Sequence, residues 1–382
     1  MEISTITITI SVVILLLAIV SPLCNPFFRL PKKKKEDNAA EEETAATPIS
    51  VVIIAHDNAP ELKKHLTAYL TQDYTADYEI IVVADKNDPE TEDVIKLFGK
   101  NKNLYATFLP TSSYYISRRK LAITVGMKAA HNDWVIVTDA WCAPDSDKWI
   151  ENIAKECRND KDIILGYTHY EDNASTHCHY EHLRNTMYNM RRALTSDSYG
   201  TCSPLIAMRK ELFLKEDGFV GNLQYARGEY DFMVNKFGTK YNSSIAINEE
   251  AASTELLPVK KLWINKHLHH IAYRKDMKGR CSMSALYNFD MLMMHLCNIA
   301  IIAGLVYAIL ALDYIVLATA IAAFTIEYTL RAVVASRAIK MFGAQISSFI
   351  VPLYDFIQPL HDIMWKIRYA FADKYDFITH KV

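Results

Sequence analysis

A short apolar run that ends in an acid constrains the fold of this chain more than any other stretch. Trp134–Val137 leads through Thr138 to Asp139, and the pattern breaks at Pro144. Such a run is typical of a strand buried in a parallel sheet. Because open α/β sheets bind their ligands at the carboxyl ends of their strands, Asp139 is predicted to lie in a functional site.

The segments before Trp134 repeat this pattern. Ile49–Ala55 and Glu79–Ala84 are predicted to be buried strands, and Tyr105–Leu109 a third strand. Helices are predicted between these strands, at 60–69, 91–98 and 117–130. Alternating strands and helices predict an α/β fold with a doubly wound parallel sheet.

Further elements follow along the chain. Strands are predicted at 163–170 and 245–248, and a small-residue turn that leads into a strand is predicted at 200–208. Helices are predicted at 147–157, 179–194, 213–218, 228–237 and 262–275. The last of these helices is amphipathic, with Trp, His and Arg side chains, and this pattern suits a membrane surface.

Apolar residues are concentrated at both ends of the chain. Ile3–Cys24 is long enough to cross a bilayer, and Lys32–Lys35 after it predicts that the following chain is cytoplasmic. A secretory signal peptide is the alternative, but no basic segment precedes the run. Leu292–Leu312 and Tyr314–Val334 predict a transmembrane hairpin that turns at Asp313.

These patterns divide the chain into five predicted regions. They are a transmembrane helix at 1–30, a charged linker at 31–47, a cytoplasmic α/β domain at 48–275, a transmembrane hairpin at 276–340, and an interfacial or re-entrant amphipathic segment at 341–382. Glu327 and Arg331 are predicted to pair near the membrane interface rather than to form a transport site. We therefore expect a multi-pass protein of the inner (plasma) membrane and not a transporter.

The charge balance and the cysteines exclude two classes of protein. The chain has 42 basic and 44 acidic residues, and a net charge of -2 gives no field that would attract nucleic acid. Its seven cysteines contain no CxxC pair, so they do not form a disulfide framework. This cysteine usage fits a reducing compartment.

Several polar residues at the predicted strand ends could bind a phosphate-rich ligand. Asp57 and Asp85 could accept hydrogen bonds from a ribose or a base, although aspartate is also common in turns. Arg119 and Lys120 could hold a diphosphate, although they could equally form a solvated face. Asp139 could bind a divalent cation that bridges the phosphates.

Two acids near the predicted helix at 228–237 are candidates for a general base. Glu229 and Asp231 are separated by Tyr230, and either could deprotonate a hydroxyl group. At the start of a helix, however, such acids often cap the helix or interact with its dipole.

Taken together, these motifs resemble those of the family 2 inverting glycosyltransferases, which have a GT-A fold, a Rossmann-like fold that binds nucleotide-diphospho-sugars. The resemblance covers roughly 48–275. The matching segments, in the order of the family motifs, are Ile49–Asn58, Val82–Asn87, Lys120–Gly126, Thr138–Trp141, Gly200–Ser203 and Gly228–Phe232.

The resemblance implies roles for individual residues. Asp85 would contact the nucleotide, Asp139 would be the first acid of an Asp-x-Asp motif, and Asp231 or Glu229 would be the base. The implied set is completed on the donor side by Asp57, Arg119 and Lys120, and on the acceptor side by Gly200, Thr201 and Trp263.

The same resemblance implies the activity. A membrane-anchored hexosyltransferase would move a sugar from a UDP- or GDP-linked donor to a hydroxyl of a lipid-linked or envelope glycan acceptor, with inversion. Its cofactor would be Mg²⁺ or Mn²⁺ held at Asp139, or alternatively no metal would bind and cations such as Lys120 would stabilise the diphosphate. Polysaccharide biosynthesis is the expected context, and no nucleic acid is expected as a partner.

Three departures from the family pattern leave a second hypothesis open. Trp141 replaces the second acid of Asp-x-Asp, so Asp145 or another carboxylate would have to help hold a metal. Tyr230 interrupts the Glu-Asp pair, and the Gln-x-x-Arg-Trp motif of processive enzymes is absent from the sequence. The alternative is therefore a non-catalytic glycosyltransferase-like subunit of a polysaccharide assembly complex.

A group of histidines suggests a metal site less clearly. His169, His177, Cys178, His179 and His182 are close in sequence, but their spacing fits no closed zinc pattern.

Overall fold

The computed structural model describes residues 4–31, 47–110, 117–257 and 259–373. Lys32–Lys35 and nearly all of the predicted linker at 31–47 therefore lie outside the described residues. The sequence predicts the type of most elements correctly, while several boundaries and one connection between sheets differ.

A seven-stranded sheet forms the centre of the fold, with strand order β3-β2-β1-β4-β8-β6-β9. Its strands are β1 Ile49–Ile54, β2 Tyr78–Asp85, β3 Leu104–Leu109, β4 Trp134–Asp139, β6 Ile163–Leu165, β8 Leu205–Arg209 and β9 Ser243–Ile245. The first four are parallel to one another, as predicted. The sheet is nevertheless mixed, because β8 is antiparallel to both β4 and β6.

A second sheet has three strands in the order β5-β10-β7, which are Cys142–Pro144, Ser253–Glu255 and Thr168–Tyr170. The predicted single strand at 163–170 was wrong, because the chain leaves the large sheet after Leu165 and joins the small one at Thr168. The strand predicted at 245–248 is also misplaced, since β9 ends at Ile245.

Helices cover both faces of the large sheet. They are α2 Ala59–Leu70, α3 Pro89–Phe98, α4 Arg118–Ala129, α5 Trp149–Ala154, α6 Thr176–Thr195, α7 Lys210–Lys215, α8 Glu229–Phe237 and α9 Lys260–Tyr273. Side chains of α2, α3 and α5 form one core with the sheet, and those of α4, α6 and α8 form the other. All six residues of β1 are buried, as expected for a central strand.

Among the described residues, three helices are long and apolar enough to cross a membrane, namely α1 Thr5–Val20 with the turn that follows it, α10 Arg280–Ala311 and α11 Tyr314–Phe342. They pack together through a small apolar core that includes Ile14, Cys297 and Ala320. Thr7 near the start of α1 donates a hydrogen bond to Asp313 in the α10–α11 turn at 2.6 Å. These helices support the predicted membrane association.

The C-terminal segment forms α12, Val351–Phe371, which continues through Pro359. One side of α12 exposes Leu353, Phe356, Leu360 and Ile363. The helix α12 is therefore amphipathic, while an interfacial or re-entrant position of this segment stays a prediction.

Glu327 and Arg331 of α11 do pair, with Arg331 Nε 3.4 Å from Glu327 Oε1. They do not reach toward solvent, because both are buried, at 4% and 3% exposed. Arg331 also lies 3.5 Å from Asp355 of α12 and 3.8 Å from Asp290 of α10. The pair thus belongs to a buried charge cluster that joins the apolar helices to the rest of the protein.

Candidate functional site

A cavity of about 460 Å³ opens near the carboxyl end of β4. Residues from the start of α4, from α8 and from α9 line it, together with the segment after β4. Of the sequence-predicted site residues, the cavity brings together Arg119, Asp139, Glu229, Asp231, Thr201 and Trp263.

Arg119 binds the two acids on one side of the cavity. Its Nη2 donates to both oxygens of Asp139 at 2.6 and 2.7 Å, and its Nε donates to Glu229 Oε1. Its guanidinium carbon lies 4.6 Å from the ring centre of Trp141. We call Arg119, Asp139, Glu229 and Trp141 the diphosphate corner, after the diphosphate that the sequence motifs predict this region to bind. Trp141, which replaces an acid of the family motif, therefore stacks on the cation.

The pKa values of the two carboxyl groups in the diphosphate corner are shifted in opposite directions. Burial raises the pKa of Asp139 to about 6, with Arg119 opposing this effect. Burial also acts to raise the pKa of Glu229, but Arg119 and Arg227 outweigh it and hold that pKa at about 2. Glu229 is therefore a poor proton acceptor near neutral pH.

Asp231 lies on another part of the cavity wall. Its Oδ1 accepts from Arg274 Nη2 at 3.0 Å and from the Thr201 amide at 3.2 Å, and its Oδ2 accepts from the Tyr273 hydroxyl. A Cβ at Gly200 would lie 2.1 Å from Asp231 Oδ1, so only glycine allows this close approach. Asp231 is thus oriented from three sides.

The structure does not bring three of the predicted donor-binding residues to this cavity wall. Lys120 Nζ donates to the backbone carbonyls of Asn222 and Tyr225 at 2.7 and 2.6 Å, and burial lowers its pKa to about 8. Asp57 is exposed, with a left-handed backbone (φ 53°). Asp85 accepts hydrogen bonds from Arg118 and His56 at the end of β2. Arg119, and not Lys120, therefore presents its charge to the cavity.

The residues of the diphosphate corner fit a divalent cation. Glu229 Oε2 is buried and has no hydrogen-bond partner among the described residues, and Arg119 contacts both Glu229 and Asp139. Two carboxylates are suitable ligands for a hard cation that also binds phosphates. Asp145 is engaged elsewhere, because its oxygens bind His169 and Thr254.

On the predicted acceptor side, Trp263 of α9 packs edge-on against Tyr170, with ring centres 5.9 Å apart. Lys266, one turn later, donates to the Tyr170 hydroxyl at 2.7 Å and to Glu255 at 3.2 Å. Sequence reasoning missed Tyr170, Lys266 and Tyr273 as cavity residues. The helix prediction at 262–275 was the only sequence signal for two of them, because it indicated that Lys266 and Tyr273 share one helix.

The structure does not bring the residues of the histidine group together as one metal site. His169 pairs with Asp145 at 2.8 Å, and His182 lies 2.6 Å from the Thr168 carbonyl. Within the described part of the chain, His177, Glu181 and His361 form a group of three potential metal ligands whose ligand atoms lie within 4.8 Å of one another.

Comparisons with known proteins agree with this architecture. The sequence model of glycosyl transferase family 2 matches residues 50–215. The mannosyltransferase PcManGT from Pyrobaculum calidifontis, solved in complex with GDP-Man and Mn2+, has a TM-score of 0.50 and 14% identity over 93% of this chain and 99% of that chain. TarS 1-349 of S. aureus has a TM-score of 0.46 and 15% identity over 85% and 92%. No curated protein matches the chain significantly.

Proposed function

Because residues 50–215 form a domain of glycosyl transferase family 2 with a GT-A fold, we propose that this glycosyltransferase moves a sugar from a UDP- or GDP-linked donor to an acceptor hydroxyl with inversion. The observation that carries the proposal is one cavity lined by the diphosphate corner and by Asp231. The Arg119 guanidinium and the two acids beside it, which would bind the leaving group, thus share a cavity with the oriented carboxylate of Asp231, which would act on the acceptor. PcManGT, which was solved with GDP-Man, supports the choice of a nucleotide sugar.

The diphosphate corner would bind the donor phosphates. The Arg119 guanidinium is suited to phosphate oxygens, and its Nη2 and Nε already donate to the carboxylates of Asp139 and Glu229. We propose that Mg²⁺ or Mn²⁺ would be held by Asp139 and the free oxygen of Glu229. When bound, such an ion supplies positive charge to the departing diphosphate.

Asp231 is the proposed general base, in preference to Glu229. Glu229 has a pKa of about 2 and is bound by Arg119, so it belongs to the donor side. Asp231 would take the proton of the acceptor hydroxyl as that oxygen attacks the anomeric carbon. The bond from this carbon to the phosphate oxygen breaks, and the nucleoside diphosphate leaves with the electron pair. A single displacement of this kind inverts the configuration.

Arg274 and Tyr273 would position the base. Both bind Asp231 from the end of α9 and the turn that follows it, and Gly200 leaves space for the carboxylate. This arrangement restricts the rotation of Asp231, so that its free lone pairs point in a defined direction.

The acceptor is proposed to be lipid-linked or to be a membrane-proximal glycan of the envelope. Apolar side chains line the cavity near Trp263, namely Leu256, Leu257, Val259 and Leu262. Three helices with the length and composition of membrane spans lie in the same chain. We propose an inner-membrane location with the catalytic domain in the cytoplasm.

The test is sugar transfer by the full-length protein in detergent, with a panel of UDP- and GDP-sugars and lipid-linked acceptors. Asp231→Asn is expected to lower kcat by about 10²–10⁴-fold, because it removes the proton acceptor and keeps the shape. Asp160→Asn, a surface change, is the control and is expected to retain activity.

Three further results would decide against the proposal or against parts of it. Equal activity of Asp231→Asn and wild type would remove Asp231 as the base. Activity that is unchanged by EDTA would remove the metal. If wild type neither binds a nucleoside diphosphate in calorimetry nor transfers any sugar, the non-catalytic subunit is favoured instead.

A further inference from the structure

Three potential metal ligands meet where α6 contacts α12, outside the diphosphate corner. His177 and Glu181 are four residues apart on α6, so their side chains share one face of the helix. His361 of α12 lies opposite them. One ligand atom from each residue lies within 4.8 Å of the other two.

Two polar atoms of this group are buried without a hydrogen-bond partner among the described residues. They are Glu181 Oε2 and His361 Nδ1. Buried polar atoms nearly always have a hydrogen-bond partner. Two unpaired atoms in one group therefore indicate that the group binds a further partner. The other oxygen of Glu181 lies 2.9 Å from His267 Nε2, which leaves Oε2 available.

Aromatic side chains hold the rings of this group in place. The ring centres of His177 and His361 are 4.5 Å apart, with an angle of 69° between the planes. Tyr354 packs edge-on against His177 at 5.3 Å. Trp365 stacks on His267 at 4.3 Å and packs against His361 at 5.7 Å. The group is therefore enclosed by rigid neighbours, as the ligands of a metal site usually are.

We propose that His177, Glu181 and His361 bind one zinc ion. Two imidazoles and one carboxylate are ligands that Zn²⁺ accepts, and they leave a fourth position for water. Mg²⁺ is a poorer match, because it prefers oxygen ligands. The site is thus chemically distinct from the diphosphate corner, where the ligands are carboxylates.

The zinc ion would join the C-terminal helix to the catalytic domain. Glu181 and His267 line the cavity, and His267 stands on α9 four residues after Trp263. His361 belongs to α12, whose apolar side is exposed. The ion would therefore connect α12 with the acceptor-side wall of the cavity.

The experiment measures zinc in the full-length protein, purified in detergent with a tag that contains no histidine. Elemental analysis is expected to find one Zn²⁺ per chain, and calorimetry after chelation is expected to show one site. His177→Gln and His361→Gln are expected to weaken Zn²⁺ binding by at least about 10–100-fold. His179→Gln, two residues from His177 on the same helix, is the matched control and is expected to bind normally.

A second measurement needs no variant and remains informative if a variant does not fold. Co²⁺ added to the wild-type apoprotein is expected to give visible absorption bands of a four-coordinate site, which stoichiometric Zn²⁺ removes. Wild-type protein that binds neither Zn²⁺ nor Co²⁺ would overturn the proposal. Equal loss of binding in His179→Gln and His361→Gln would also overturn it, because it would locate the ion elsewhere.

Discussion

Two clusters in this protein each combine an arginine with two carboxylates and an aromatic ring, but their surroundings differ. In the diphosphate corner, Arg119 binds two carboxylates and lies 4.6 Å from the Trp141 ring. In the second cluster, Arg184 of α6 lies 3.1 Å from Asp290, 3.5 Å from Asp355 and 4.4 Å from the Tyr287 ring. We call the second group, with Arg331 and Glu327, the junction cluster.

The surroundings distinguish the two clusters. Arg119, Asp139 and Glu229 line a cavity of about 460 Å³, and the Arg119 side chain is 8% exposed. The junction cluster connects helices α6, α10, α11 and α12, and its arginines are only 2% exposed. The same chemistry therefore borders a cavity in one cluster and holds helices together in the other, where it is sealed.

The largest expected effect is on stability, in the junction cluster. Arg184→Gln would leave buried carboxylates without one of their cations, and we expect a loss of about 3–5 kcal/mol in the free energy of unfolding. Thermal unfolding in detergent measures it. Arg192→Gln on the same helix is the control, because Arg192 donates only to neutral groups, which predicts a loss of about 1 kcal/mol. Similar losses of stability in both variants would contradict the interpretation that Arg184 holds the helices of the junction cluster together.

The next effect is on activity, in the diphosphate corner. Arg119→Gln is expected to lower kcat by about 10²–10³-fold, because a fixed donor to the leaving group is lost. Its loss of stability should be smaller than that of Arg184→Gln, since the cavity beside Asp139 and Glu229 leaves space for a water molecule in place of the guanidinium. Arg119→Lys keeps the charge without the fork and should retain intermediate activity. If Arg119→Gln is destabilised but fully active, Arg119 acts in stability, as Arg184 does, and the two clusters do not differ in role.

A smaller effect is expected at the aromatic ring of the diphosphate corner. Trp141→Ala should weaken the binding of the donor nucleoside diphosphate by about 0.5–2 kcal/mol, because the cation–π contact with Arg119 is lost. Calorimetry of nucleoside diphosphate binding measures this change. Trp141→Phe retains a ring and should lie between wild type and Trp141→Ala. Equal affinities in all three proteins would assign the ring no role in orienting Arg119.

The smallest effect is a pH dependence from Asp139. Its pKa of about 6 predicts that activity falls about tenfold per pH unit below 6, as the carboxylate that holds Arg119 becomes protonated. For stability the sign is opposite. The folded state binds this proton more tightly than the unfolded chain, so the contribution of Asp139 to stability decreases as pH rises from about 4 to 6. If kcat/KM does not fall below pH 6, the assignment of this pH dependence to Asp139 is contradicted. Asp139→Asn should remove the fall in kcat/KM at low pH.

Local pattern was sufficient to predict much of the fold. Continuous apolar runs gave β1, β2 and β4 within about one or two residues, because strands buried on both faces need no polar positions. Ser117 caps α4 at the predicted start. The antiparallel β8 and the division of 163–170 between two sheets were not predicted, since strand direction depends on how distant segments pack.

The site was predicted in outline and not in its contacts. Asp139 ends β4 as expected, but neighbouring residues on a helix point about 100° apart, so the sequence could not decide between Arg119 and Lys120. Tyr273 reaches Asp231 from 42 residues away. Such contacts have no local signal.

By itself, the sequence determined the strand-helix alternation, the three apolar runs and the acid at the end of β4, because each follows from the periodicity or length of a local segment. Only the tertiary structure decided which arginine faces the cavity, which acids share it, and which charges are sealed between helices. It also decided that His361 meets His177 across two helices. The physical reason is that burial and charge pairing are properties of residues brought together from distant parts of the chain.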